Sequence, residues 1–532
     1  MQLGKKMLSE SKFYMGYSRW IDNENRYETW EESVSRVMNM HRQKYATILT
    51  PELENYIQYA EDAYKDKLVL GAQRALQFGG EQLFKHESRM YNCSVSHIDR
   101  PSFFTECMYL LLCGCGVGFS VQPQHIGNLP EIAQRSKKKA KIYRIPDSIE
   151  GWADAFGVLL SSYFVDNSTH PEYQGCQVHF DYSDIRPKGS MISGGFKAPG
   201  PDGLRSSLIK CEALLEALLE GKQRTKINSI TAYDFVMHMS DAVLSGGVRR
   251  SATICVFDKD DQDMLTAKTG DWFMKNPQRG RSNNSALLVK SELTREEWAN
   301  IMKSVKDFGE PGFIFTENKE FLYNPCVEIG MLPKTEDGQS GFQFCNLTEI
   351  NGGQCTTKDI FVRACKAASI LGTLQAGYSN FKYLSAATKK ITEREALIGV
   401  SITGWMNNPD VLFDEDNMIH GAEIVKQYNK EVAKLLGINQ AARTTCAKPS
   451  GNLGTASGIH GEHSPLYFRH VQMNDQDDVL SLIQSKNPEM VELSVWSSTG
   501  TDKVVSFPVV SKEGSIYKND LLGVKQLEFV KK

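Results

Sequence analysis

The stretch Leu322–Gly330 reads LYNPCVEIG, and a second cysteine, Cys345, follows in GFQFCNLTEI at 341–350. Cys326 has Asn324 two residues before it and Glu328 two residues after it. Pro325 has no amide hydrogen and turns Asn324 away from helix, so the segment is predicted to be an extended loop. In an extended chain residues i, i+2 and i+4 share a face, which would point Asn324, Cys326 and Glu328 the same way. That grouping is poor for a thiolate, because a nearby carboxylate raises a thiol's pKa and no histidine lies near Cys326 in sequence. It suits hydrogen-atom chemistry, in which a neutral thiol gives or takes H• and the carboxylate handles a proton. On these residues alone, a buried cysteine beside a coincidental glutamate is an equal reading.

The chain as a whole, 532 residues, is ordinary for a soluble globular protein, with 41% hydrophobic and 23% charged residues and a net charge of −3. Nothing in that balance indicates direct binding to nucleic acid. The N-terminus has no apolar signal core, and the run Cys107–Phe119 is too short and glycine-broken to span a membrane, so the expected location is the cytoplasm. Twelve cysteines are too sparse for a disulfide scaffold and show no zinc spacing, and no metal is expected. Any thiol with a role must be picked out by its neighbours.

Residues 1–75 read as a helical N-terminal region, with amphipathic segments at Trp30–His41 and after the Thr50–Pro51 start signal. Beyond it, strand-like runs (Gln177–Ser183, ATICVF, ALLV, GFIF, LIGVSIT) alternate with helices such as Cys211–Gly221, which predicts an α/β fold. The charge run Arg135–Lys141 reads as a solvated loop, with a phosphate contact as the minority reading. KNDLLGVKQLEFVKK at the end reads as one amphipathic helix.

Six stretches, taken in order, resemble the ribonucleotide reductases. NPCVEI with FCNLTEI resembles their active-site finger, and RMYNCSV (Arg89–Val95) their N-terminal redox cysteine. LLCGCGVGFSV (Leu111–Val121) is similar to their glycine-rich turn, and KPSGNLG (Lys448–Gly454) to their phosphate-binding turn. SDIRPKG (Ser183–Gly189) with GGVRRSA (Gly246–Ala252) resembles the adenosylcobalamin-dependent, class II branch. YSRW, YRIPD and SNNS (Ser282–Ser285) are smaller echoes of it.

The resemblance implies a ten-stranded α/β barrel over 76–532, made of two antiparallel five-stranded parallel halves around a central finger loop. It implies that Cys326 forms a thiyl radical that takes the 3′ hydrogen of a ribonucleotide, that Glu328 takes the 3′-hydroxyl proton, and that Asn324 binds the substrate's hydroxyls. Cys93 and Cys345 would be the dithiol that becomes a disulfide. Substrate contacts would come from Asn92, Gly116, Pro449, Ser450, Gly451, Asn452 and Leu453. For the turn, the physical basis is an anion cradle of backbone N–H groups; for Gly116 it is close backbone approach. Arg249 and Arg250 could face phosphate or form surface salt bridges. The other nine cysteines read as structural.

Adenosylcobalamin is the implied cofactor. The implied partners are the ribonucleotide, a thioredoxin-like reductant and a deoxynucleotide effector. Two departures qualify this. The family continues past the last residue with a mobile cysteine pair, which suggests a fragment, a second polypeptide that completes the enzyme, or an external thiol. The interval between GVGFSV and YRIPD is shorter than the effector-site insertion of the monomeric members. The alternatives are a catalytic subunit served by a separate metal-containing radical generator, a nucleotide-binding fragment without catalysis and, more weakly, a glycyl-radical-type reductase.

Overall fold

Buried apolar runs become the strands of two sheets. In chain order these are β1 Val69–Leu70, β2 Cys93–His97, β3 Gly116–Ser120, β4 Thr253–Asp258, β5 Ser282–Leu288, β6 Gly312–Phe315, β7 Gln343–Cys345, β8 Leu347–Asn351 and β9 Gly399–Thr403. The structure, a computed structural model, describes residues 3–192, 196–244, 252–448, 450–459, 464–475, 477–495 and 501–531. Two compact units divide the chain: 1–83 with 346–377 and 395–532, and 84–345 with 378–394. This division differs from a helical region over 1–75 followed by a single barrel.

The second unit holds a six-stranded sheet ordered β6-β5-β4-β3-β2-β7. Its first five strands run parallel, and β7 closes the edge antiparallel to β2. β3 is buried at every residue and β4 at all but its last, as expected of parallel strands covered on both faces. Helix Ser102–Cys113 joins β2 to β3 and is halted by Gly114 in the left-handed region (φ 83°), a conformation open to glycine at no steric cost. Helix Arg295–Phe308 joins β5 to β6 behind a Thr294–Glu297 capping box.

The first unit holds a three-stranded sheet, β9-β8-β1, with β8 parallel to β9 and antiparallel to β1. Its helices Trp30–Lys44 and Pro51–Lys65 start where the sequence predicts, the latter on Thr50 with Pro51 in its first turn. A further antiparallel sheet of Leu466–Asn474, Asp502–Val510 and Val491–Leu493 buries Val471, Val505 and Phe507 with Leu8.

The α/β expectation holds, but among the described residues the strands do not close a ten-stranded ring. One five-stranded parallel half is present, and the other sheet has three strands with only one parallel pair. The run at 343–351 is divided at Asn346 between β7 and β8, which belong to different sheets.

Three local expectations also change. Ser136–Arg144 is an exposed strand rather than a loop, paired parallel with Cys176–Asp181. Arg135 leaves the charge run to pair with Glu212 and Glu216. The terminal helix is broken at Gly523 (φ 59°), leaving a short turn Lys518–Leu521 and a helix Val524–Lys531.

Candidate active site

LYNPCVEIG forms the tip of a hairpin. Leu322–Tyr323 pairs antiparallel with Gly330–Met331, Leu322 opposite Met331 and Tyr323 opposite Gly330. Between them the chain is a turn rather than an extended strand. The Val327 N–H donates to the Asn324 carbonyl (2.8 Å), and the Ile329 N–H donates to Asn324 Oδ1 (3.1 Å). Val327 sits at φ 64°, unfavourable for a β-branched residue, so the turn is held by its surroundings rather than by local preference. The expected shared face is therefore lost: Asn324 is fully buried while Cys326 is exposed.

The hairpin lies on glycines of β3. A methyl group added at Gly118 would collide with the Tyr323 carbonyl oxygen. One added at Gly116 would lie 3.2 Å from Pro325 Cγ and 3.5 Å from Cys93 Sγ. Gly116 belongs to a central strand rather than a tight turn, and its value is the space it leaves. Asn92 enters through its backbone, its carbonyl accepting the Gly116 N–H (2.8 Å).

Cys345 on β7 is the direct cross-strand partner of Cys93 on β2, which in turn pairs with Gly116 on β3. The three residues form one row across the sheet, with Pro325 above it. Both cysteines are free thiols. The Cys345 thiol is held well above its ordinary range, first by its hydrogen bond with Cys93 and then by burial, with the charges of Cys115 and Glu328 adding to the effect. It is a neutral thiol at pH 7. Cys115, expected to be structural, therefore belongs to the surroundings of the pair. Cys107, Cys211, Cys255 and Cys365 are buried, with raised pKa values, as inert thiols are.

Two buried polar atoms of the turn have no hydrogen-bond partner: Asn324 Nδ2 and Glu328 Oε2. Such atoms are costly unless something satisfies them, and the two offer a ligand one donor and one acceptor.

The base of the hairpin rests on a histidine pair that sequence reading missed. His97 and His125 stack with ring centroids 4.0 Å apart at 28°. His125 Nε2 lies 3.2 Å from Glu320 Oε1, and His97 Nε2 lies 3.0 Å from the Glu320 carbonyl. Glu320 also pairs with Lys334. Burial holds both histidines below their ordinary pKa range. The ligand atoms of His97, His125 and Glu320 lie within 4.8 Å of one another. Near-parallel rings, however, keep their in-plane lone pairs from converging on one ion, and the group serves to anchor the hairpin.

Ser450, Gly451, Asn452 and Leu453 lie in the other compact unit, and Pro449, Arg249 and Arg250 lie outside the described residues. Ser450 Oγ donates to Glu349 Oε1 (2.6 Å), and Lys448 Nζ donates to Glu349 Oε2 (2.6 Å). The Ser450 hydroxyl is therefore committed to a buried carboxylate on β8. The signals that could have found Gly118 and Glu349 are the period-two glycines of GVGF and the glutamate of NLTEI.

The B12-dependent ribonucleotide reductase insertion domain, as a family model, matches residues 123–215. The sequence reading sought that insertion only before YRIPD and found the interval short; the match runs on well past it. The chain is 25% identical to the adenosylcobalamin-dependent ribonucleoside-triphosphate reductase of Levilactobacillus brevis, over 93% of this chain and 77% of that protein. It is 26% identical to the probable adenosylcobalamin-dependent ribonucleoside-triphosphate reductase of Dictyostelium discoideum, over 98% of this chain and 72% of that protein. Its fold matches the crystal structure of a B12-dependent (class II) ribonucleotide reductase with a TM-score of 0.77 at 20% identity, covering 96% of this chain and 83% of that one. In sequence along most of its length, and in fold, this chain is similar to the B12-dependent ribonucleotide reductases.

Proposed function

We propose that the chain reduces ribonucleotides, ribonucleoside triphosphates first among them, to 2′-deoxyribonucleotides by radical chemistry with adenosylcobalamin. The observation that carries this reading is the row Cys345–Cys93–Gly116 beneath the turn that bears Cys326. Exposed Cys326 fits a bulky radical source, since it is open to a large group while Cys345 is buried. When bound there, adenosylcobalamin supplies the one-electron oxidant for the Cys326 thiol.

The remaining chemistry belongs to the chain. Cys326 removes the 3′ hydrogen atom from the ribose, and Glu328 takes the 3′-hydroxyl proton through the oxygen left unpaired in the turn. Asn324 donates its unpaired N–H to a ribose hydroxyl. The 3′ radical weakens the 2′ C–O bond, and the 2′ hydroxyl leaves as water with a proton from the thiol pair. Cys93 and Cys345 supply two electrons and close to a disulfide, and Cys326 returns its hydrogen atom to the 3′ carbon. Substrate and dithiol thus become deoxynucleotide, disulfide and water.

The Ser450–Leu453 turn is proposed to hold substrate phosphate through backbone N–H groups, because its hydroxyl is engaged by Glu349. A thioredoxin-like dithiol is the proposed reductant, and a deoxynucleotide effector the proposed regulator. The deciding assay supplies ribonucleoside triphosphate, a dithiol and adenosylcobalamin to the chain alone. Deoxynucleotide formation supports the proposal; a strict need for a metal-containing second subunit overturns the cofactor assignment.

A further inference from the structure

SNNS at Ser282–Ser285 opens β5, and none of its residues has a part in the chemistry above. Asn283 is exposed at the start of that strand, and its Nδ2 donates to the Pro325 carbonyl at 3.0 Å. That carbonyl belongs to the peptide unit that ends at the Cys326 nitrogen. Fixing it fixes the plane from which the Cys326 side chain leaves the backbone. The opposite side of Pro325 is held by contact, since its ring lies over Gly116 of β3, beside Cys93. Pro325 is thus held from two strands of the sheet, by its ring at β3 and by its carbonyl at β5.

The turn needs such a hold. Val327, immediately after Cys326, occupies the left-handed region at φ 64°, which its branched side chain disfavours. Within the turn, hydrogen bonds from the Val327 and Ile329 N–H groups both end on Asn324. Among the described residues, Asn283 supplies a side-chain hydrogen bond to the turn from outside the hairpin.

We propose that Asn283 is a positioning residue for the Cys326 sulfur, acting through the Pro325 carbonyl rather than on substrate. For turnover the proposal rests on the radical reading of Cys326; for geometry it does not. Misplacing a reacting atom by about 1 Å from outside the chemistry costs up to ~10²-fold in rate.

The test uses the full chain with Asn283→Ala, which removes the donor, and Asn283→Asp, which keeps the shape and replaces the amide with a carboxylate. Two quantities are measured: steady-state ribonucleotide reduction with adenosylcobalamin, and the rate of Cys326 alkylation by iodoacetamide, assigned by peptide mapping without any cofactor. The expected result is that both variants lose about tenfold or more in kcat with KM within about twofold, and that Cys326 alkylates several-fold faster as the turn loosens. A raised KM at unchanged kcat overturns the proposal, because Asn283 would then bind substrate. Unchanged kcat with unchanged alkylation also overturns it. If the unmodified chain reduces no ribonucleotide, the radical reading fails, and the alkylation rates alone decide whether Asn283 positions Cys326.

Discussion

At the residue scale the thiols divide by exposure and by partner. Cys326 stands open on its turn, whereas Cys345 is buried against Cys93. Replacing Cys326 with serine is expected to cut kcat by about 10³-fold or more, because an O–H bond is too strong to give up its hydrogen atom; equilibrium nucleotide binding should be unchanged. Turnover near the unmodified level in that variant would remove Cys326 from the mechanism. Cys93→Ser and Cys345→Ser should each stop multiple turnover while leaving Cys326 intact. Thiol titration after one turnover without reductant checks this: the unmodified chain loses a pair of thiols per deoxynucleotide, and either variant loses none. Glu328→Gln keeps the shape of the turn and removes the base, so kcat should fall by about 10²-fold with a smaller change in KM. The sequence already paired this carboxylate with the thiol. The unpaired state of Glu328 Oε2 and Asn324 Nδ2 comes from the fold around the turn.

At the element scale the central event is the seating of the hairpin on β3. Gly118 leaves room for the Tyr323 carbonyl, and Gly116 for Pro325 and Cys93. Gly118→Ala forces the hairpin off the strand or displaces its backbone, an overpacking error costing about 1–3 kcal/mol. The expected outcome is a lower denaturation midpoint together with strong loss of turnover; wild-type values for both would show that the hairpin is not seated as described. Part of this was legible from sequence, since GVGF carries glycines at period two. The turn itself was not, because Pro325 predicts an extended path as readily as a tight one. What settles the turn are the Asn283 hydrogen bond from a distant strand and the pairing of Tyr323 with Gly330.

At the scale of the whole molecule, buried neutral histidines tie stability to pH. His41 is lowered to about 3 by burial, and His97 and His125 are held below 6.5 chiefly by burial. The unfolded chain takes up these protons near pH 6.5 and the folded chain refuses them, so stability is fully present above that value and declines as pH falls below it. Each such histidine contributes a slope of up to about 1.4 kcal/mol per pH unit within its window. Denaturant midpoints measured at pH 7.5 and 5.5, on the order of one unit either side of the free histidine pKa, should fall on acidification. His97→Gln should flatten that fall; an unaltered slope in the variant would mean that His97 is not held neutral by the fold.

The residues proposed to carry the chemistry could be singled out from the sequence because they are local: Asn324, Cys326 and Glu328 lie within one short loop, and proposing a role for side chains there needs no tertiary knowledge. The strand and helix assignments were legible for a similar reason, since hydrophobic period follows from backbone geometry. That Cys93 faces Cys345 was implied only by family resemblance, for no local property of either segment sets an antiparallel register between chain positions so far apart. The tertiary structure alone decided that register, the splitting of 343–351 between two sheets, the unclosed ring of strands among the described residues, and the grip of Gly116, Gly118 and Asn283 on the hairpin. Each depends on which strands become neighbours, and that is determined by long-range burial and close packing rather than by the residues on either side.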